Sequence, residues 1–411
     1  MSLKPFATRL DQYAELLVKL GLNVQPDQTV WINAPLQAAA AVRAITRKAY
    51  EVGARHVFVD WEDHEVNRIR LELASEDALG EAPQWKADAL EQLAKEGMCY
   101  LQLQAPNPEL LSHIDPARVA MANKARSATF KPFLDYTRND EISWLIAAVP
   151  TVEWAAKVFP GLPADEGVEQ LWDVIFQVNR VDEPSPLEAW REHIDFLERR
   201  MKELNDAQFA KLHYRGPGTD LTIELPEGHL WVSARNENAR GISFVPNMPT
   251  EEVFTSPKRD GTTGVVRSTK PLHYGGTLIE DFSLTFEQGK VVEVKAKRGQ
   301  ETLQKLLDTD EGARYLGEAA LVPHRSPISD SGLVFYNTLF DENASCHLAV
   351  GAAFRACLEG GKSMSAEEFA RRGCNNSLVH VDFMIGSAEL DIDGIKADGT
   401  VVPLFRQGNW A

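Results

Sequence analysis

The hydrophobic pattern changes character partway along the chain. Apolar residues recur at helical spacing from Phe6 to Leu20, and Gly21 stops them. Thr29 to Ala34 is a continuous apolar run of the kind a fully buried strand shows. Ala38 to Val52 reads as an Ala-rich helix ended by Gly53, and His56 to Trp61 as the next strand. The exchange repeats with helix Asp88 to Lys95, strand Met98 to Gln104, helix Pro116 to Arg126 and strand Ser143 to Val149. Such alternation predicts βαβ units, and so an α/β domain with a mainly parallel sheet and helices on both faces. The turns after these strands carry no GxGxxG and no GxxxxGK[ST], so a structural role is favoured over nucleotide binding.

Pro184-Ser-Pro186 precedes a strongly charged helix, Leu187 to Leu204, and the domain boundary is placed there. Residues 1–185 form the predicted N-terminal domain and 186–411 the C-terminal one. Beyond that helix, Phe209 to Tyr214, Leu221 to Leu225 and Leu230 to Ser233 alternate apolar and polar residues, as antiparallel strands do. Phe282 to Phe286 and Val291 to Lys295 flank Glu287-Gln-Gly-Lys290, a hairpin signal. The second half is therefore expected to be a strand-rich α+β domain.

Composition narrows the function classes. A length of 411 residues exceeds one ordinary core, and 44% hydrophobic with 25% charged residues is the make-up of a globular protein. The net charge of −17 argues against nucleic acid or an anionic membrane as a partner. Four cysteines without a CxxC pair exclude a Cys-rich zinc site and disfavour a disulfide scaffold. The opening Met1-Ser-Leu-Lys-Pro-Phe-Ala lacks a signal-peptide apolar run, and no apolar segment is long enough to span a bilayer. A cytoplasmic protein is expected.

Metal-ligand chemistry is concentrated in two stretches. Phe340-Asp-Glu-Asn-Ala-Ser-Cys-His347 holds Asp341, Glu342, Cys346 and His347, and His380-Val-Asp382 follows downstream. His380 and Asp382 are two apart in a β-like run, so both face one way; the alternative is a hydrogen-bonded pair on a partly exposed strand. His347 opens an Ala-rich segment that reads as a helix, with Asn343 or Ser345 as cap and Phe354 two turns on along the same face. Glu342 is expected in the loop before it, able to converge on one ion with His347 or to face the helix dipole. Glu318 would ordinarily be a surface residue. Thr250 reads locally as an N-cap, with Glu251 and Glu252 as first-turn acids. Cys346 and Cys357 read as small buried hydrophobes. Two histidines with three or four carboxylates suit a pair of divalent ions, and such pairs serve hydrolysis.

Four segments together carry a resemblance: Asn247-Met-Pro-Thr-Glu-Glu-Val-Phe-Thr255, Gly317-Glu-Ala-Ala-Leu-Val322, Asn337 to His347, and His380-Val-Asp382. In this order they resemble the motifs of the M29 metallo-aminopeptidases, the aminopeptidase T, aminopeptidase S and PepS group. The resemblance runs the length of the chain and is sharpest from about residue 236. It implies a two-domain cytoplasmic exopeptidase, usually a homodimer, with two divalent metals in the C-terminal domain, zinc or cobalt and with manganese as an option. It places the metal ligands on Glu252, Glu318, Glu342, His347, His380 and Asp382, and it is the resemblance that selects Glu252 over Glu251. One departure concerns a family tyrosine in a His-x6-Tyr pattern, thought to act at the metals, where this chain has Phe354. Phenylalanine keeps the ring and loses the hydroxyl. Tyr336 and Tyr274 are substitutes by type.

The function so implied is removal of the N-terminal residue from short peptides by a two-metal-activated water, with Glu251 or Glu252 as general base. Two other readings stand beside it. A ring-cleaving dioxygenase of related fold would hold one iron(II) with His347, His380 and Asp382 as a facial triad. Phe354 instead motivates a catalytically weakened binding protein.

Overall fold

The structure, a computed structural model, describes residues 4–411 other than 108, 112 and 276. The first three residues of the opening Met1-Ser-Leu-Lys-Pro-Phe-Ala lie outside the described ones. The chain divides into two compact units, residues 1–193 with 235–249 and residues 194–234 with 250–411. The division falls within a long helix, Pro186–Ala207. No helix among the described residues is long and apolar enough to cross a membrane.

The first unit is α/β. Strands Thr29–Pro35, His56–Glu62, Cys99–Gln104 and Trp144–Ala148 are those the apolar runs predict. All pairings among them are parallel. Their spatial order is second, first, third, fourth, so the winding reverses direction between the first and third strands. Helix Gln84–Lys95 buries Ala87, Leu90 and Ala94 against Phe130 and Phe133 of helix Pro116–Arg138. Each such large apolar side chain contributes about 1.5–3 kcal/mol on burial.

The second unit is strand-rich. Among the described residues it holds a nine-stranded sheet whose pairings are antiparallel. Its hairpin Thr277–Glu287 with Lys290–Arg298 lies where the Glu287-Gln-Gly-Lys290 signal puts it. Leu230 to Ser233, expected as a strand, forms only an isolated bridge from Val232 to Phe254. A separate four-stranded antiparallel sheet runs in the order His380–Met384, His347–Gly351, Leu316–Leu321, Val253–Thr255.

Two local expectations are overturned here. His347 begins a strand, not a helix. Alanine and glycine carry no β-branched or aromatic signal, yet strands on both sides pair with this segment, and that pairing outweighs the helix propensity of alanine. Glu251 and Glu252 likewise do not open a helix, since Val253–Thr255 pairs with Leu316–Leu321.

Candidate metal centre

The four-stranded sheet assembles the site by parity. Glu318 lies opposite Ala349, and Ala349 lies opposite Asp382, which makes one cross-strand row. His347 pairs with Ala320 and Gly351 with His380 in the neighbouring rows. Residues two apart share a face, so Glu318, His347, His380 and Asp382 rise from the same side. Phe254 pairs with Ala320, so Glu252, two residues before it, belongs to that side as well. The middle of the floor is Ala349 and Gly351, which leave room above the sheet.

Glycine shapes two of these positions. A side chain at Gly351, with φ of +110°, would lie 2.0 Å from the Val379 carbonyl oxygen. At Gly317 it would lie 2.2 Å from the Ala352 oxygen. Gly317 sits at the register shift between Leu316 and Glu318, a bulge that re-aims the glutamate.

The imidazoles are oriented by the backbone. His347 Nδ1 is 3.0 Å from the Ser345 carbonyl oxygen, and His380 Nδ1 is 2.8 Å from that of Ala352. A carbonyl only accepts, so each Nδ1 carries a proton, and Nε2 is the nitrogen that faces the carboxylates. His347 Nε2 is 3.3 Å from Glu252 and 3.8 Å from Glu318 Oε1. His380 Nε2 is 3.0 Å from Glu318 Oε2 and 3.4 Å from Asp382 Oδ1. Glu318 therefore turns one oxygen to each histidine. Two ligand groups result, Glu252 with Glu318 and His347, and Glu318 with His380 and Asp382. Glu318 belongs to both.

Electrostatics ask for positive charge here. Burial opposes protonation of His347 and His380, but the carboxylates outweigh it and raise both, His380 to about 11. Burial pushes Glu318 up to about 7 against the pull of His380. Burial, then the charges of Asp382 and Glu252, push Glu342 well above the carboxylate range, which sets it beside the same cluster. Asp382 alone goes down, because the two imidazoles overcome its burial. Its Oδ1 is buried without a hydrogen-bond partner among the described residues. Two protonated imidazoles cannot balance four carboxylates, and an uncompensated buried ion costs several kcal/mol. Oxygen-rich sets with two imidazole nitrogens fit divalent cations, so the donors suit metal.

The remaining site candidates find definite places. Glu318, expected at the surface, is 4% exposed. Glu342 ends a short helix, Thr338–Glu342, and is not in a loop. Phe354 is not on a helix with His347, because the strand ends at Gly351. Its ring nevertheless lies 4.7 Å from that of His380 and 5.5 Å from that of Phe254, and it is 40% exposed. Its amide donates to Ser256 Oγ at 3.0 Å. Glu251 is buried but belongs to neither ligand group.

Some positioning groups escaped the sequence reading. Asn343, considered there as a helix cap, accepts from the Glu251 amide at 2.7 Å and donates to the Leu339 carbonyl at 2.9 Å. It ties the Glu252 segment to the Glu342 helix. Asp341 accepts from the amides of Phe335 and Asn337 and so fixes the entry to that helix. Cys346 takes no part in either ligand group; its sulfur exchanges hydrogen bonds with Val322, and it is buried as expected. The alternation His-Leu-Ala-Val-Gly was the signal for the strand.

The chain matches a known family and named relatives over nearly its whole length. The family described as thermophilic metalloprotease (M29) matches residues 6–410. Aminopeptidase 2 of Geobacillus stearothermophilus is 51% identical over 98% of this chain and 97% of its own. Aminopeptidase T of Thermus thermophilus is 45% identical over 98% and 99%. The solved structure of wild-type AmpT from Thermus thermophilus superposes with a TM-score of 0.94, covering 99% of this chain and all of that one at 45% identity. A 2,5-dihydroxypyridine dioxygenase from Pseudomonas putida KT2440 shares the fold at a TM-score of 0.50 with 13% identity, over 98% and 96% of the chains. With a carboxylate-rich two-histidine centre on this fold, and relatives matched end to end, the chain belongs to the M29 metalloprotease family and is a metallo-aminopeptidase.

Proposed function

We propose that the centre holds two divalent cations, zinc or cobalt with manganese as an alternative, and hydrolyses the peptide bond after a free N-terminal residue. The observation that carries this is Glu318, whose two oxygens face different histidines. A carboxylate that bridges two ions needs that disposition. The ligands we assign are Glu252, Glu318 and His347 for one ion, and Glu318, His380 and Asp382 for the other, with Glu342 alongside. When bound, such a pair polarises a scissile carbonyl and lowers the pKa of a water.

The protein's own groups do the rest. Glu251, next in sequence to Glu252, is buried and belongs to neither ligand group. We assign it as proton acceptor for the attacking water, held in place by Asn343. The carboxylates of the site offer an anionic anchor for the ammonium group of a peptide N-terminus. Phe354 keeps the His380 ring in place and offers an apolar wall, but it has no proton to donate. A homodimer acting on short peptides in the cytoplasm completes the proposal. Four buried free cysteines suit a reducing compartment.

The single-iron reading needs His347, His380 and Asp382 around one point. Among the described residues, those three do not form one ligand group. Metal content per chain, measured together with hydrolysis of aminoacyl-p-nitroanilides, decides between them. Two equivalents of zinc or cobalt with peptidase activity are expected, and Glu318→Gln should lower both. One iron per chain without peptidase activity would overturn the proposal.

A further inference from the structure

The parallel sheet of the first unit contains a feature that its structural role does not need. Parallel sheets covered on both faces are ordinarily apolar throughout. Here two cross-strand rows on one face depart from that. Trp31, Tyr100 and Trp144 are paired side by side and form an aromatic row. Two residues further toward the carboxyl ends, Asp60, Asn33 and Gln102 form a polar row. Both rows line a cavity of about 250 Å³, roofed by Leu90, Phe130 and Phe133.

The cavity lies on one face of the sheet beneath helices Gln84–Lys95 and Pro116–Arg138, with Tyr100 and Trp144 near the amino ends of their strands. The winding reverses between the first and third strands, and the polar row lies on their carboxyl-terminal side. Several groups there have unused hydrogen-bonding capacity. Among the described residues the Trp31 indole N–H is buried without a partner. The Tyr100 hydroxyl and the Gln102 amide make no hydrogen bond among the described residues, whereas Asp60 is engaged by Asn33 and Lys86. Burial keeps the Tyr100 hydroxyl protonated, and so a donor. At the mouth, Arg126 reaches Glu62 only at 3.8 Å, with most of its side chain exposed. Beyond Arg126, Lys86 and Phe130 opens a second cavity of about 450 Å³, which these three residues also line.

We propose that this cavity is a ligand site for a small planar aromatic molecule that carries an anionic group. The aromatic row and Phe133 receive the ring, edge or face on. Trp31, Tyr100 and Gln102 hydrogen-bond to its heteroatoms, which favours a heteroaromatic ring over a hydrocarbon one. Arg126, in a chain of net charge −17, supplies the cation for the anionic tail, which extends toward the second cavity. None of the metal-centre residues contributes. The anion is a carboxylate, as on an aromatic acid, or a phosphate, as on a nucleoside monophosphate.

The test is calorimetric titration of the full-length protein with indole-3-acetate, adenosine 5′-monophosphate and uncharged indole. Saturable binding of at least one anionic probe is expected, and the probe that binds identifies the anion. Arg126→Ala should weaken that probe about tenfold while leaving indole unchanged. Gln102→Leu should weaken both. Arg126→Ala should keep full aminopeptidase activity, and His347→Ala should keep full probe binding. Arg126 is exposed, so its variant tests binding without burdening the fold. No binding at millimolar concentration, binding indifferent to both cavity variants, or binding lost with His347→Ala would each overturn the proposal.

Discussion

The protein contains two four-stranded sheets that use opposite strategies. The parallel sheet of the first unit fills one face with large rings, in the row Trp31, Tyr100 and Trp144. The antiparallel sheet of the second unit puts its smallest residues, Ala349 and Gly351, in the middle of one face and rings them with ionisable groups. Strand pairing is equally regular in both. The difference lies in what stands on the pairing. Large side chains on a floor make an apolar enclosure with a few hydrogen-bonding positions, whereas a floor without side chains lets charged groups from three strands approach one another. A site for ions therefore depends as much on what is missing from its centre as on its ligands.

The largest effect should come from removing an ion-facing group. His347→Ala should lower peptidase activity by about 10³-fold or more and reduce bound metal, since each ligand group is small and shares Glu318. Activity retained within about tenfold would show that this sheet is not the catalytic one. Next comes Glu251→Gln, expected to cut kcat on the order of 10²-fold while metal content stays at the wild-type level. If metal is lost in parallel, Glu251 is a ligand and not the proton acceptor.

The third probes the empty floor directly. Ala349→Val adds two methyl groups between Glu318 and Asp382 and should cost about 1–3 kcal/mol, read as a lower unfolding midpoint, together with weaker metal retention. An unchanged protein would mean that the small floor is incidental. The smallest effect is expected from Phe354→Tyr. The ring already packs on His380, so an added hydroxyl should change the rate by less than about tenfold. A much larger gain would identify Phe354 as the cause of a weakened enzyme.

Legibility in the sequence followed the same division. The parallel strands were readable because each is a strongly apolar run bounded by helices with glycine stops. The pair His380 and Asp382 was readable because two-residue spacing on a β-like run fixes a shared face, and the structure has them on a strand. His347 was misplaced onto a helix because Ala and Gly, needed to empty the floor, carry the wrong local propensity for a strand. The burial of Glu318 could not be read locally, because it arises from pairing on both edges of its strand. Local chemistry does not separate Glu251 from Glu252 on a helix start, where both are first-turn acids. Read as a strand, the period of two puts Glu252 with Phe254. The aromatic and polar rows of the first unit were invisible for a related reason: their members come from four separate strands and meet only through register.

The way the two imidazoles are held has one further consequence. Both lean on main-chain carbonyls, those of Ser345 and Ala352, which every amino acid possesses. No single substitution can delete either acceptor. A substitution at 345 or 352 small enough for its surroundings should leave the aim of the histidines undisturbed, provided the chain keeps its path. The orientation of the centre is inherited with the fold rather than with any side chain, and mutational loss of function should fall on the ligands and the small floor while sparing these two supports.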